Sequence, residues 1–91
     1  MKKAVRIYIK GIVQGVFFRA FARENAEKNN VKGFIRNLKD GRLEIFVEGN
    51  PDNVKKMIED CKIGPKHSKI EGFEIKKDKF QGFKEFKVLH I

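Results

Sequence analysis

The sequence holds one cysteine, two histidines, two prolines and no tryptophan in 91 residues. A lone cysteine, Cys61, excludes an internal disulfide and leaves no second thiol for redox or structural zinc spacing. It is expected as a small apolar residue on the buried face of a helix. His67 and His90 both fall in peripheral segments, so the sequence offers neither a metal-ligand cluster nor a Ser-His-acid arrangement. No apolar run approaches the roughly 20 residues that a membrane span requires. Met1-Lys2-Lys3 leads into an alternating segment and not into the continuous apolar stretch of a signal peptide, which sets the expected location in the cytoplasm. Repeats, low-complexity tracts and linkers are missing too, and the length supplies one hydrophobic core, so residues 1–91 are expected to form one domain.

What is present is core material and charge. Nine phenylalanines and the Ile and Val content can fill a core, and charged residues at 36% leave ample solvated surface. Twenty-one Lys and Arg against twelve Asp and Glu give a net charge of +9. Such a field attracts phosphate-bearing partners of any size, and a lysine-rich surface also serves solubility. Charge alone does not choose between these readings.

Val5, Ile7 and Ile9 alternate with Arg6, Tyr8 and Lys10, the period of two that predicts a strand with one buried face over Val5 to Ile12. Phe18, Phe21, Ala22 and Ala26 then fall at helical spacing and predict a helix from about Phe18 to Asn29. Asn29-Asn30 is a plausible stop, because Asn tolerates the left-handed conformation that ends many helices. A second extended run, about Val31 to Leu38, is joined by Asp40-Gly41 to a third in which Leu43, Ile45 and Val47 alternate with Glu44, Phe46 and Glu48. That dipeptide between two extended runs is a hairpin signal. Asn50 then suits an N-cap and Pro51 the first helical position, and Val54, Met57, Ile58 and Cys61 form an apolar stripe. Gly64-Pro65 breaks the second helix. Ile70, Phe73 and Ile75 suggest a fourth strand, and Phe86 and Val88, with His90 as an extension, a fifth. The order is β-α-β-β-α-β with a short terminal strand: an α+β, ferredoxin-like sandwich, with two helices on one face of an antiparallel sheet of four to five strands. That fold hosts many unrelated activities and does not by itself indicate one.

The segment Gly11-Ile12-Val13-Gln14-Gly15-Val16-Phe17-Phe18-Arg19 carries the chain from a strand into a helix. Its two glycines let the backbone bend sharply, and the first amides of a helix lack internal partners, so several N–H groups can converge on an anion. It is neither a Walker loop nor a dinucleotide fingerprint. Arg19 in the first helical turn faces the positive end of the dipole, an arrangement that a bound phosphoryl group would compensate. Its planar fork can grip two phosphoryl oxygens, where a lysine offers a point charge. The competing reading is a surface arginine lying over the sheet. Arg23, one turn on, reads as a surface residue. Asn37 stands out as a poor strand former at the end of an extended run, suited either to a chemical role or to bonding its own backbone beside the turn.

Taken together, Gly11 to Arg19, the run Gly33-Phe34-Ile35-Arg36-Asn37 and the Asp40-Gly41 turn resemble the acylphosphatase signature, a GxVQGVxFR loop followed by GxVxN and DG. The resemblance extends over nearly the whole chain, including Gly64-Pro65 and the final Phe86-Lys87-Val88. Asn29-Asn30 stands where many members have Leu-Gly, and Phe34 where Trp is frequent. The resemblance implies hydrolysis of the carboxyl-phosphate bond of acyl phosphates, with inorganic phosphate as product and no cofactor or metal. It further implies that Arg19 and backbone amides at Gln14, Gly15, Val16, Phe17 and Phe18 hold the phosphoryl group, and that Asn37 places the attacking water. The expected enzyme is a monomer acting on a small molecule, with neither nucleic acid nor membrane as partner.

Two other readings compete with this one. Ile7-Tyr8-Ile9-Lys10-Gly11-Ile12 and Lys32-Gly33-Phe34 resemble the two RNA-contact motifs of ferredoxin-like RNA-binding modules, although the second lies on the second strand where the third should carry it. A phosphate-sensing module without turnover would use the same cradle.

Overall fold

The computed structural model describes residues 2–12 and 16–89. Its strands are β1 (Lys3–Ile12), β2 (Lys32–Asn37), β3 (Leu43–Gly49), β4 (Lys69–Asp78) and β5 (Phe86–Val88), with helices α1 (Val16–Lys28) and α2 (Pro51–Ile63). The strands lie side by side in the order β4-β1-β3-β2-β5. Helix α1 packs over β2 and β5, and α2 over β1 and β3. The core between them is formed by Val5, Ile7 and Ile9 of β1, Ile35, Leu43 and Ile45 of the central hairpin, and the helical stripes through Phe18 and Ala22 and through Val54 and Met57.

The helix boundaries follow from local chemistry. The Asn50 side chain accepts a hydrogen bond from the Asp52 amide at 3.0 Å, and Pro51 opens α2 where a missing N–H costs nothing. Helix α1 ends as expected, with Asn30 in the left-handed region at φ 54°. Asn29 does more than end the helix: it is buried, and its amide nitrogen donates to the Asp60 carboxylate at 2.8 Å, pinning the end of α1 to α2. Cys61 is fully buried on α2, as its spacing predicts. Burial, with Asp60 beside it, pushes its thiol up to about 12, so it stays protonated and unreactive at neutral pH.

The sheet departs from the antiparallel expectation at one edge: β5 runs parallel to β2, pairing Gly33 with Phe86 and Ile35 with Val88. The physical reason is the route of the chain. Strands β4 and β5 occupy opposite edges, four strand spacings or about 19 Å apart. Residues 79–85 must cross that width, close to the limit of their reach at about 3.3 Å per residue. They cross on the face opposite the helices at the end of the sheet where Asp78, Ala4, Glu48 and Lys32 lie in one row, so β5 starts beside Gly33 and runs in the direction of β2. Two bonds fasten the crossing, from the backbone amides of Gln81 and Phe83 to the Glu48 carboxylate at 2.6 and 2.5 Å. The Phe83 ring packs on Phe34 and Phe46 with centroids 5.8 and 5.6 Å away.

Strand β3 is buried on both faces, where its alternation suggests one. Phe46, Glu44 and Glu48, which alternate outward, are buried as fully as Leu43, Ile45 and Val47. Glu44 is satisfied by Arg6 at 3.0 Å, by a short ion pair from Arg36, and by the Tyr8 hydroxyl at 3.2 Å. Burial alone would raise its pKa, but the hydrogen bonds from Arg36 and Arg6 outweigh that and hold it below the usual carboxylate value. A carboxylate depressed in the folded state contributes stability above its unfolded pKa of about 4.3 and loses it as pH falls through the lower folded value. Glu44→Gln is therefore expected to cost about 1–3 kcal/mol at pH 7. In chemical denaturation across pH 6 to 3, the variant's stability should fall less steeply than that of the wild type; parallel curves would mean Glu44 does not couple folding to pH.

Candidate active site

The strand register assembles one end of the sheet. In β1, Ile9 lies opposite Leu43, and Leu43 in turn lies opposite Asn37. Asn37 is thus two strand spacings, about 10 Å, from the row where β1 prepares to leave the sheet. The backbone then passes Gly11, where a bulge shifts the pairing with β4. Gly11 has φ 138°, and a side chain there would meet the Lys69 carbonyl oxygen at 2.1 Å, so only glycine permits this departure. Gly33, which opens the run ending at Asn37, is held in the same way: a Cβ would lie 1.8 Å from the Phe46 carbonyl oxygen. Gly11 and Gly33 of the signature are therefore explained by close backbone approach.

Asn37 ends β2 on the face shared by Ile35, the face that α1 covers, but past the core, where it is exposed. Arg36, its neighbour, points to the other face and is held by Glu44. Sequence adjacency therefore does not bring Arg36 to the site. The turn that follows is built without the Asn37 side chain: Asp40 accepts from the Arg42 amide at 3.0 Å and pairs with the Arg42 guanidinium at 2.8 Å. The reading of Asn37 as a turn residue bonding its own backbone thus loses its motive, because Asp40 fills that role.

Arg19 sits half-buried in the first turn of α1, which carries no acidic residue. Phe18 beside it is buried, with its ring edge-on to Phe21 at 5.8 Å, and this anchors the start of the helix to the core. Phe17 turns the other way and is 78% exposed. Phe17, Phe18 and Arg19 thus occupy the turn whose amides lack helical partners. Val16 opens the helix, while Gln14 and Gly15 lie outside the described residues, as does His90. Arg23 is exposed, with Glu27 one turn further on at 3.8 Å, as a surface residue would be.

Among the described residues no group of three or more His, Cys, Asp and Glu side chains is arranged to hold a metal ion, and no helix is long and apolar enough to cross a membrane. The outer sheet face does not present the aromatic platform that RNA stacking uses. Phe46 is fully buried and Phe34 nearly so, and Tyr8 lies between the Arg42 and Lys76 cations at 4.9 and 5.6 Å. Neither the Glu48 clasp nor the Glu44 network is signalled by the residue pattern, since outward-facing glutamates on a strand ordinarily meet solvent.

The acylphosphatase family model matches residues 5–88. An acylphosphatase of Rubrobacter xylanophilus is 45% identical over 80 residues, 88% of this chain and 73% of that protein. One from Syntrophus aciditrophicus is 41% identical over 99% of this chain and 95% of its own length. The crystal structure of acylphosphatase from Bacillus subtilis superposes with a TM-score of 0.91 at 32% identity, covering 99% of this chain and all of that one. Fold and matched sequence together define a hydrolase that acts on phosphorus-containing anhydrides. Within that class the chain belongs to the acylphosphatase family, whose reaction splits acyl phosphates into a carboxylate and phosphate.

Proposed function

We propose that Arg19, with the backbone amides of residues 14–18, holds the phosphoryl group at the start of α1, and that Asn37 orients the water attacking phosphorus. The observation that carries this reading is the register row Ile9-Leu43-Asn37, which sets Asn37 at the end of the sheet where β1 finishes and α1 begins. The water oxygen bonds to phosphorus, the bond from phosphorus to the acyl oxygen breaks, and the carboxylate leaves with its electron pair. The water's proton passes to a phosphoryl oxygen, so the products are a carboxylate and inorganic phosphate. Placement and charge stabilisation supply the catalysis.

The leaving group explains why so few residues suffice. The conjugate acid of a carboxylate has a pKa near 4, about that of an Asp or Glu side chain, so no general acid is needed at neutral pH. An alkyl phosphate ester would require one. The enzyme works as a single-domain monomer in the cytoplasm, without metal or nucleic acid. The expected result is rapid hydrolysis of benzoyl phosphate in excess chelator, with alkyl phosphate esters turned over poorly or not at all. Efficient ester hydrolysis at this site, or loss of benzoyl phosphate hydrolysis on chelation, would overturn the proposal.

A further inference from the structure

The phosphoryl site leaves the acyl end of the substrate unassigned, and the flank of α1 opposite Arg19 carries a groove for it. Phe17, Ala20 and Phe21 of α1 face Pro65, Lys66 and His67 of the segment after α2, enclosing about 460 Å³. That is within the range of small-molecule sites, which run from about 300 to 1,000 Å³. Glu24 closes the end furthest from the helix start. The shape of this segment is set locally: Gly64 caps α2 at φ 71°, His67 is left-handed at φ 70°, and the Ser68 hydroxyl donates to the Pro65 carbonyl at 2.6 Å.

Direction is what connects this groove to the reaction. Successive helical residues turn by about 100°, so Phe17 and Arg19 project about 200° apart, on opposite flanks of α1. The groove fixes the Phe17 flank as the one facing residues 65–67. Arg19 therefore lies on the other flank, the side of β2 and β5, which α1 overlies and where Asn37 ends its strand. An in-line displacement needs the attacking water and the leaving group on opposite sides of phosphorus. With water delivered from the Asn37 side, the acyl group departs across the helix start toward Phe17 and residues 65–67.

We infer that this groove is the acyl subsite and that it selects acyl phosphates with an uncharged, apolar acyl substituent, an aromatic ring or a branched alkyl chain; the inference rests on the phosphoryl-site reading above. Phe17, 78% exposed, and Phe21 supply apolar surface for the substituent. Lys66 supplies positive charge where the carboxylate forms. Glu24 at the distal end opposes a second carboxylate on the acyl chain.

The test compares benzoyl and acetyl phosphate as substrates for the wild type and for Ala20→Gln, which places polar bulk in the groove on an exposed helical position. The expected result is a loss of about fivefold in kcat/KM for benzoyl phosphate, the factor carried by roughly 40 Å² of apolar contact, with acetyl phosphate changed less than about twofold. Should the variant fail to give the wild-type circular dichroism spectrum, the wild type alone decides: a phenyl-bearing phosphonate should shift the amide resonances of Ala20 and Lys66, and inorganic phosphate should leave them in place. Equal losses on both substrates, or phosphonate shifts confined to the start of α1, would overturn the acyl subsite while leaving the phosphoryl reading intact. Hydrolysis of neither substrate by folded wild type would overturn both.

Discussion

Arg19→Ala is expected to lower kcat/KM for an acyl phosphate by about 10³-fold, with the fold unchanged. The estimate follows from what is removed. A preorganised donor aimed at developing phosphoryl charge is worth about 10²–10³, and here the same side chain also supplies binding charge. Arg19→Lys separates the two contributions. Lysine keeps the positive charge but offers no planar fork, so if two oxygens are gripped at once most of the loss should remain. Near-normal kinetics for the lysine variant would show that charge alone suffices and that the fork is idle. The fold should tolerate both changes, since the anchor of this helical turn is the buried Phe18 and not the half-buried Arg19. Thermal denaturation of each variant checks that point.

Asn37→Ala should depress kcat by about 10²-fold or more while leaving the inhibition constant of inorganic phosphate within about twofold. Water placement matters in the transition state and scarcely at all for a bound product, so the loss belongs in kcat. Stability should barely move, because Asn37 is exposed at a strand end and the following turn is held by Asp40. Equal losses in phosphate affinity and turnover would assign Asn37 to phosphate binding, and a lowered melting temperature would assign it to the turn.

How much of this was legible in the sequence depends on how local the determining physics is. The Gly11 to Arg19 segment stands out because its requirements lie within a few residues: a backbone that must bend, amides left over at a helix start, a cation where the dipole disfavours one. Asn50 with Pro51, Asn30 and Cys61 were legible for the same reason, and each sits where its local chemistry puts it. Asn37 was visible only as an odd residue in its place. What brings it level with the end of β1 is the register of two strand pairings, which sequence spacing alone does not determine. Glu44 and Glu48 misled because alternation identifies which face a residue occupies and says nothing of what covers that face. Glu48 is covered by the backbone of residues 81–83, more than thirty positions away, and Glu44 by Arg6, Tyr8 and Arg36 of the neighbouring strands. The parallel pairing of β5 was hidden likewise, since no feature of Phe86-Lys87-Val88 encodes the route by which the chain arrives.

That route has a consequence for how the enzyme comes into being. Strand β5 joins β2 at Gly33 to Ile35, two residues before Asn37, so the strand that presents Asn37 is flanked on both sides only after the C-terminal segment has crossed the sheet. Such long-range closures are entropically costly, and chains that depend on them fold more slowly than those built from local contacts. During synthesis the arginine and the asparagine both emerge before β5, so the outer edge of the strand that presents the asparagine stays bare until residues 86–88 have been made and docked. A chain lacking β5 would carry the Arg19 and Asn37 segments without the strand that closes the β2 edge beside them.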